Sequence, residues 1–449
     1  VNLEIFHAYD IRGIYPTDLD EDAAYAIAGT YTGLFKPETV VVGRDARQSS
    51  PALMERFVAG LVDWGVNVVD IGEITTDMLY FAAGEYGYSG GVVISASHNP
   101  GDYNGMKMVR EGAAAISSDT GLYDIRDALK ANPDPKPPGG RKGEVTSKDI
   151  MAEYLEHVLT FIDPSIVKPF KLVANGNFGY VGRVVRKLAE RLNLELIELN
   201  FEPDGTFPKG PPNPMLKENA AEVEDLIKKN PVDFGAAWDA DADRVMFFDE
   251  KGRFIPGIYV TALLAEIMLH KEKGAKIIFD PRVVWPAFDA VNRNGGAPIM
   301  AKAGHAFMKD RMRAENAIFA GELSAHYYFR ENFYADNGII PFLLVLEHLS
   351  RTGKSFSEMV DPFMENHHTS GELNHRVTKD SEVILKEVEA VFANRGEMDY
   401  TDGLSVEAKD WRFNLRASNT EPLLRLNVES RDPDIMDKIT REVEALIKG

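Results

Sequence analysis

Residues 39–72 read TVVVGRDARQSSPALMERFVAGLVDWGVNVVDIG, and their pattern decides the fold class. The β-branched run 39–43 ends in a glycine and a charged turn. Ser50 before Pro51 then signals an N-cap and a first helical turn. Leu53, Met54, Phe57, Val58, Leu61 and Val62 follow at helical spacing, and VNVVDIG (66–72) is strand-like again. A helical stretch around MLYFAAGEYG (78–87) and the run GGVVISA (90–96) continue the alternation. Strand, helix, strand, helix, strand predicts a mainly parallel sheet covered by helices.

Further along, ANPDPKPPGGRKG (131–143) is rich in proline, glycine and charge and reads as a linker. The alternation then restarts with KLVANGN, a helix through VGRVVRKLAERLN, LELIELN, a helix near ENAAEVEDLIKK, and VDFGAAWD. A third round follows Gly252, from IYVTALLAEIMLHKE through AKIIFD, APIMAKA and AFMKDRMRAEN to AIFAGEL. From about residue 370 the pattern becomes that of a small α+β domain. The expected boundaries are 1–146, 147–249, 250–366 and 367–449. Four domains fit 449 residues at roughly 100 to 200 per domain.

The composition, 44% hydrophobic and 27% charged, is that of a globular chain. A formal charge of -20 argues against nucleic acid or an anionic membrane as the main partner. It leaves room for a small anionic ligand held by local arginines, and no obligate protein partner is evident. The chain has no cysteine, so disulfides, thiolate metal sites and cysteine nucleophiles are excluded. The beginning VNLEIFHAYDIRG lacks a signal-peptide pattern and the apolar stretches are too short to span a bilayer. A cytoplasmic location is the expectation.

Several stretches carry candidate chemistry. WDADADR (238–244) sets Asp239, Asp241 and Asp243 at alternate positions beside Arg244, between two apolar runs. Like charges so close repel, and a divalent cation such as Mg²⁺ is their natural counter-charge, although an acidic surface turn has the same letters. SASHNP (95–100) presents Ser97 and His98 in a loop. A serine hydroxyl can carry a phosphoryl group when metal, base and cations assist it, although the segment taken alone reads as a Ser/Asn turn fixed by Pro100 with His98 a hydrogen-bonding loop residue. GELSAH (321–326) alternates Glu322, Ser324 and His326, which an extended chain would put on one face to meet one ligand. The solvent face of an edge strand is an equal reading. RASNTEPLLR (416–425) offers Arg416, Ser418, Asn419, Thr420 and Arg425, a phosphate-binding set or a capped turn. YDIRG, GRDAR, FDPR and KAGHAFMK add Arg12, Arg44, Arg47, Arg282, His305 and Lys309 at the ends of apolar runs, where α/β domains place ligands, although a surface ion pair is the commoner fate of each arginine.

Together these motifs, in this order and spacing, resemble the α-D-phosphohexomutase family and its phosphomannomutase/phosphoglucomutase branch. The resemblance covers essentially the whole chain. It implies four domains around a central cleft, three related mixed α/β domains plus a smaller C-terminal α+β domain. The first would carry the phosphoserine loop, the second the metal loop, the third the sugar-recognition loop and the fourth a phosphate site. It further implies Ser97 as phosphoryl carrier and metal neighbour, Asp239, Asp241 and Asp243 as Mg²⁺ ligands, and Arg244 as a phosphate contact. Glu322 and Ser324 would read sugar hydroxyls, and Arg416, Ser418, Asn419 and Thr420 would cradle the second phosphate. Tyr9, Arg12, Lys107, His305 and Arg282 would line the cleft, Arg282 in place of an expected lysine. Ala240 stands where glycine is usual, and an alanine needing positive φ at 240 or 242 would cost stability.

The implied reaction is interconversion of hexose 1-phosphate and hexose 6-phosphate, mannose or glucose, through phospho-Ser97, with hexose 1,6-bisphosphate as intermediate and activator. His326 is the first choice for acid/base work, with His98 and Lys107 in support and His305 or a carboxylate as alternatives. Phosphoglucosamine mutase is the nearest rival; it tends to carry glutamine where Leu323 stands. A metal-dependent sugar phosphatase and a noncatalytic sugar-phosphate sensor are rivals of other classes.

Overall fold

The computed structural model describes residues 1–417 and 423–448 and falls into two compact units, Val1–Phe254 with His326–Phe356, and Ile255–Ala325 with Ser357–Gly449.

In the first unit the strand Thr39–Arg44 lies between Asn67–Glu73 and Gly90–Ile94 and runs parallel to both. The helix Ser50–Asp63 buries Leu53, Met54, Phe57 and Leu61 and packs on the helix Glu21–Phe35. A Cβ at Gly60 would stand 2.6 Å from that of Ala28, so the missing side chain is what lets the helices close. Two expectations need correction. Ser50 is the first helical residue rather than the cap; Ser49 is the N-cap, and the Ser50 hydroxyl donates to Asp45 Oδ1 at 2.6 Å. The sheet is mixed rather than mainly parallel, since Tyr103–Arg110 runs antiparallel to both Gly90–Ile94 and Ile11–Ile14. Only a short loop joins Gly90–Ile94 to Tyr103–Arg110, and without a crossover helix the chain must return antiparallel.

A second sheet in this unit pairs Lys171–Asn175 in parallel with Glu195–Leu199 and Phe234–Trp238. Phe234–Trp238 and the antiparallel Val245–Asp249 are buried along their whole length. The aspartate-rich residues 239–244 are therefore a hairpin connection between two core strands. The unit is completed by the hairpin Tyr327–Phe329 with Ala335–Asp336 and by the helix Ile339–Thr352, buried over most of its length.

In the second unit Lys276–Phe279 runs parallel to Ala297–Met300 and Phe319–Gly321, with the helices Gly257–Lys271, Trp285–Arg293 and His305–Glu315 beside them. The C-terminal part is antiparallel. Leu423–Ser430 pairs with Trp411–Ala417, Leu373–Arg376 and His368–Thr369, and Trp411–Ala417 pairs with Leu404–Glu407. Val388, Phe392, Phe413, Leu426 and Val443 close a core under the helices Ser381–Phe392 and Pro433–Lys448. Glu429 ties the two parts of this unit together by accepting from the Val284 and Trp285 amides at 2.9 Å each. Among the described residues no helix is long and apolar enough to cross a membrane.

Candidate active site

Ser97 sits just past the strand Gly90–Ile94 with φ +51, a left-handed conformation that a serine rarely adopts. Its amide donates to Ser95 Oγ at 3.0 Å. Its hydroxyl lies 3.0 Å from Asp239 Oδ2 and 3.1 Å from His98 Nδ1. Asn99 accepts from Arg12 Nη1 at 2.5 Å, and Arg12 is itself anchored on Asp10 Oδ2 at 2.7 and 2.9 Å. Gly105 serves the sheet rather than the loop, since a Cβ there would come 2.1 Å from the Ile11 carbonyl oxygen.

Asp239, Asp241 and Asp243 are all buried, and one carboxylate oxygen from each lies within 4.8 Å of the others. Three separate segments hold the backbone of this hairpin. Asn177 donates to the Trp238 carbonyl at 2.6 Å, the Thr76 amide to that of Asp241 at 2.8 Å, and the Gly338 amide to that of Ala242 at 3.1 Å. The Thr76 hydroxyl adds a bond to Asp241 Oδ2 at 2.7 Å. Ala242 has φ +57, whereas Ala240 is not among the residues with positive φ. The strain anticipated for this loop thus falls on the second alanine.

Arg244 donates to Asp239 Oδ2 through Nε and Nη2 at 2.9 and 2.8 Å, and Lys107 donates to Asp241 Oδ2 at 2.6 Å and to Asp243. Burial pushes the Asp239 carboxyl up to about 7, with Arg244 pulling the other way. Burial opposes ionisation of both Asp241 and Asp243, as does the Asp243 charge at Asp241, yet Lys107 with Thr76 at Asp241 and Lys107 with His326 and Arg244 at Asp243 bring both below the usual carboxylate range. Burial would lower the Lys107 ammonium, but its two carboxylates raise it above the ordinary lysine value, so it stays charged. Burial, followed by Arg244 and Arg12, holds the His98 imidazole well below its ordinary value and therefore neutral. His326 pairs with Arg244 as an isolated bridge and places Nε2 3.6 Å from Asp243 Oδ1. Asp241 Oδ1 and Asp243 Oδ1 are buried and make no hydrogen bond. Hard oxygens left over beside a third carboxylate fit a divalent cation.

In the second unit, Arg282 forks onto Asp280 with Nε on Oδ1 and Nη2 on Oδ2, both at 2.8 Å. Its Nη2 is also 3.4 Å from Glu322 Oε1 and 3.5 Å from Ser324 Oγ. Glu322 accepts from the Gly304 amide at 2.9 Å, directly before His305 opens the helix His305–Glu315. Lys309 is buried one turn further along that helix. Arg416 and Arg425 face each other across neighbouring strands and share Glu372, at 3.0 and 3.5 Å.

The chain matches all four segments of one protein family in order: "Phosphoglucomutase/phosphomannomutase, alpha/beta/alpha domain I" over 3–134, domain II over 152–252, domain III over 256–367 and the C-terminal domain over 372–446. The chain belongs to the phosphoglucomutase/phosphomannomutase family. It is 46% identical to a protein of Xanthomonas campestris named "Phosphohexose mutases" and to a "Phosphomannomutase" of Salmonella montevideo, with 100% of each chain covered in both cases. The crystal structure of a phosphoglucomutase/phosphomannomutase family protein from Burkholderia thailandensis superposes with a TM-score of 0.89 at 30% identity, over 100% of this chain and 98% of that one. As a phosphoglucomutase/phosphomannomutase family member the chain is an enzyme of the phosphohexomutase class.

One expectation about this family member's site changes. Glu322, Ser324 and His326 do not share one face of an extended strand. Ala325 has φ +63 and its amide bonds back to the Glu322 carbonyl at 3.0 Å, so the segment is a turn. Glu322 and Ser324 belong to the second unit and His326 to the first. Arg44 forms the ordinary ion pair of a partly exposed arginine, 3.2 Å from Glu73. Tyr9 lies in the bend before Ile11–Ile14, while Ser418, Asn419 and Thr420 lie outside the described residues. Sequence reasoning missed Thr76, Asp280 and Glu372. Only Asp280 had a local signal, being an acid two residues before Arg282 at a strand end.

Proposed function

We propose that the chain interconverts the 1-phosphate and 6-phosphate of a hexose, mannose, glucose or both, with Ser97 as the phosphoryl carrier. The carrying observation is the Ser97 hydroxyl 3.0 Å from Asp239, within a buried cluster of carboxylates and cations. In this reading phospho-Ser97 gives its phosphoryl to the free hydroxyl of the sugar phosphate. The sugar oxygen bonds to phosphorus as the bond from Ser97 Oγ to phosphorus breaks; His326 takes the hydroxyl proton and Ser97 Oγ gains one as it departs, so that the proton is transferred, net, from the sugar hydroxyl to the serine. The resulting 1,6-bisphosphate turns around, and its other phosphoryl returns to Ser97. Hexose 1,6-bisphosphate added in trace amounts would charge the serine and so activate the enzyme.

Asp239, Asp241 and Asp243, together with the serine oxygen, would hold Mg²⁺. When bound, the ion supplies positive charge to the oxygens of the transferring group. Arg12, Lys107 and Arg244 bring fixed positive charge to the same end, and Lys107, being charged, can only donate. Glu322 and Ser324, oriented with Arg282 and His305, are the proposed readers of sugar hydroxyls. Arg416, Arg425 and the residues Ser418, Asn419 and Thr420 are the proposed holders of the phosphate that is not moving, and Tyr9 a further substrate contact. The proposed domains are 1–146, 147–249, 250–366 and 367–449. The setting is a cytoplasmic enzyme of small sugar phosphates that needs no nucleic acid, membrane or obligate protein partner.

Phosphorus NMR with Mg²⁺, a trace of hexose 1,6-bisphosphate and glucose, mannose or glucosamine 1-phosphate tests this, with Ser97→Ala as control. Conversion to 6-phosphates that requires Ser97 supports the mutase and ranks its sugars. Preference for the amino sugar favours the phosphoglucosamine reading, release of free phosphate alone a phosphatase, and no turnover a sensor.

A further inference from the structure

The GRDAR turn at 43–47 finds no role in the chemistry above, yet it lies against the serine loop. We propose that Arg47 is a positioning residue that sets the direction of the Ser97 hydroxyl by gathering the backbone carbonyls of the serine loop around one guanidinium. The proposal rests on the reading of Ser97 as carrier.

Arg47 is completely buried, and each of its five guanidinium N–H groups has a partner. Nη2 donates to the carbonyls of Ser97 and Asn99 at 2.8 and 2.7 Å. Nη1 donates to those of Pro100 and Tyr103 at 2.5 and 2.9 Å. Nε completes the set on Asp45 Oδ2 at 3.1 Å. Asp45 in turn accepts from the Arg47 amide at 3.0 Å and fixes Ser50 at the start of its helix, so the anchor is rigid. Phe207 covers the guanidinium with its ring centroid 4.9 Å from Cζ, and Gly205 pairs with Arg47 as an isolated bridge. A Cβ on Gly205 would come 2.1 Å from the Ala46 carbonyl oxygen, so the cover segment approaches as closely as only glycine permits.

These contacts matter for the nucleophile because Ser97 is in a strained backbone conformation, φ +51, which persists only where its surroundings over-determine it. The bond to the Ser97 carbonyl fixes the peptide that follows the serine. The three others fix the return of the chain to the strand Tyr103–Arg110. Rotation of the Ser97 peptide would swing Cβ and Oγ away from Asp239. A lysine ammonium has three donors with no planar fork and cannot hold four carbonyls and a carboxylate together. Arg47 makes no contact with the hydroxyl itself. It acts on the reacting oxygen only through the loop.

The test compares wild type with Arg47→Lys and Phe207→Leu, with Ser97→Ala as blank. Phosphorylation of Ser97 by glucose 1,6-bisphosphate is followed by intact-mass spectrometry in single turnover, beside steady-state kcat and KM, and the folded fraction is taken from circular dichroism. Arg47→Lys is expected to transfer about 100-fold more slowly per folded molecule, the order of loss for a misplaced reacting group, with KM changed less than about twofold. Phe207→Leu, which leaves the four carbonyl bonds, is expected to slow transfer about threefold and decides the matter if Arg47→Lys does not fold. Wild-type transfer rates per folded molecule in the informative variant, or a loss expressed wholly in KM, overturn the role of Arg47. A wild-type protein that takes no phosphoryl at Ser97 overturns the carrier reading itself, a separate result.

Discussion

The Lys107 ammonium donates to Asp241 Oδ2 at 2.6 Å and also to Asp243, so two of the three aspartates in the hairpin share one cation from another strand. A buried carboxylate pair stripped of its cation is costly, of the order of 3 to 5 kcal/mol for the broken pair. Lys107→Met is therefore expected to melt at a lower temperature without metal and to gain more from added Mg²⁺ than wild type does. Thermal melts with and without Mg²⁺ check this. An equal metal-induced gain in both proteins would mean that Lys107 and the ion do not answer the same charge.

Thr76 holds Asp241 by side chain and by backbone, and only the side-chain bond is removed in Thr76→Val. A lost hydrogen bond of about 1 to 1.5 kcal/mol corresponds to roughly tenfold weaker divalent-ion binding. Titration with Mn²⁺ followed by electron paramagnetic resonance measures it directly, and Thr76→Ser should bind as wild type does. Equal affinity in the valine variant would leave Thr76 a packing residue.

Ala242 tests backbone strain in the same loop. An L-residue in the left-handed region costs roughly 1 to 2 kcal/mol, and glycine's extra freedom in the unfolded chain returns roughly 0.5 to 1 kcal/mol of that. Ala242→Gly should thus be neutral to mildly stabilising, within about 1 kcal/mol, while the β-branched Ala242→Val should lose at least about 2 kcal/mol. Denaturant melts would separate them, and a valine variant as stable as wild type would show that the loop relaxes.

Asp77 gives a pH dependence. Burial pushes its carboxyl up to about 7 although Thr75, Tyr154 and the Met78 amide donate to it. Between about pH 4, where the unfolded carboxyl ionises, and about 7, the folded state keeps a proton that the unfolded chain has lost. This contribution is fully present at acid pH and declines as pH rises through that window. Asp77→Asn cannot titrate, so the melting temperature of wild type minus that of the variant should fall from pH 4 to pH 7. Parallel curves would place the Asp77 ionisation outside the window.

His326, with Nε2 at 3.6 Å from Asp243, is the proposed proton carrier. His326→Gln should lower kcat by about 10²-fold or more with little change in KM, and should remove one limb of the pH profile. An unchanged profile assigns the proton to another group.

Much of this was legible from local pattern. The alternation over 39–96 predicted the α/β layers, because burying Val40, Phe57 and Val92 demands the strand and helix periods they follow. The three aspartates stood out because carboxylates between core strands are costly without a counter-charge. What stayed hidden depends on pairings between distant segments. No local feature of Lys107 reveals that its strand delivers it to Asp241, and none of Glu372 that Arg416 and Arg425 converge on it. The GELSAH segment misled for a different reason. Alternate spacing implies one face only if the backbone is extended, and alanine carries no mark of the left-handed turn that Ala325 makes.

The first unit is discontinuous in the chain, closing with His326–Phe356 only after Ile255–Ala325 has been laid into the second. During synthesis the aspartate hairpin therefore emerges long before its histidine. A nascent chain halted near residue 254 would already hold the three carboxylates and the serine loop but would lack the imidazole at Asp243 and the amide of Gly338 that clamps Ala242. The order of translation thus makes completion of the proposed phosphoryl-handling centre one of the later events in the birth of the molecule.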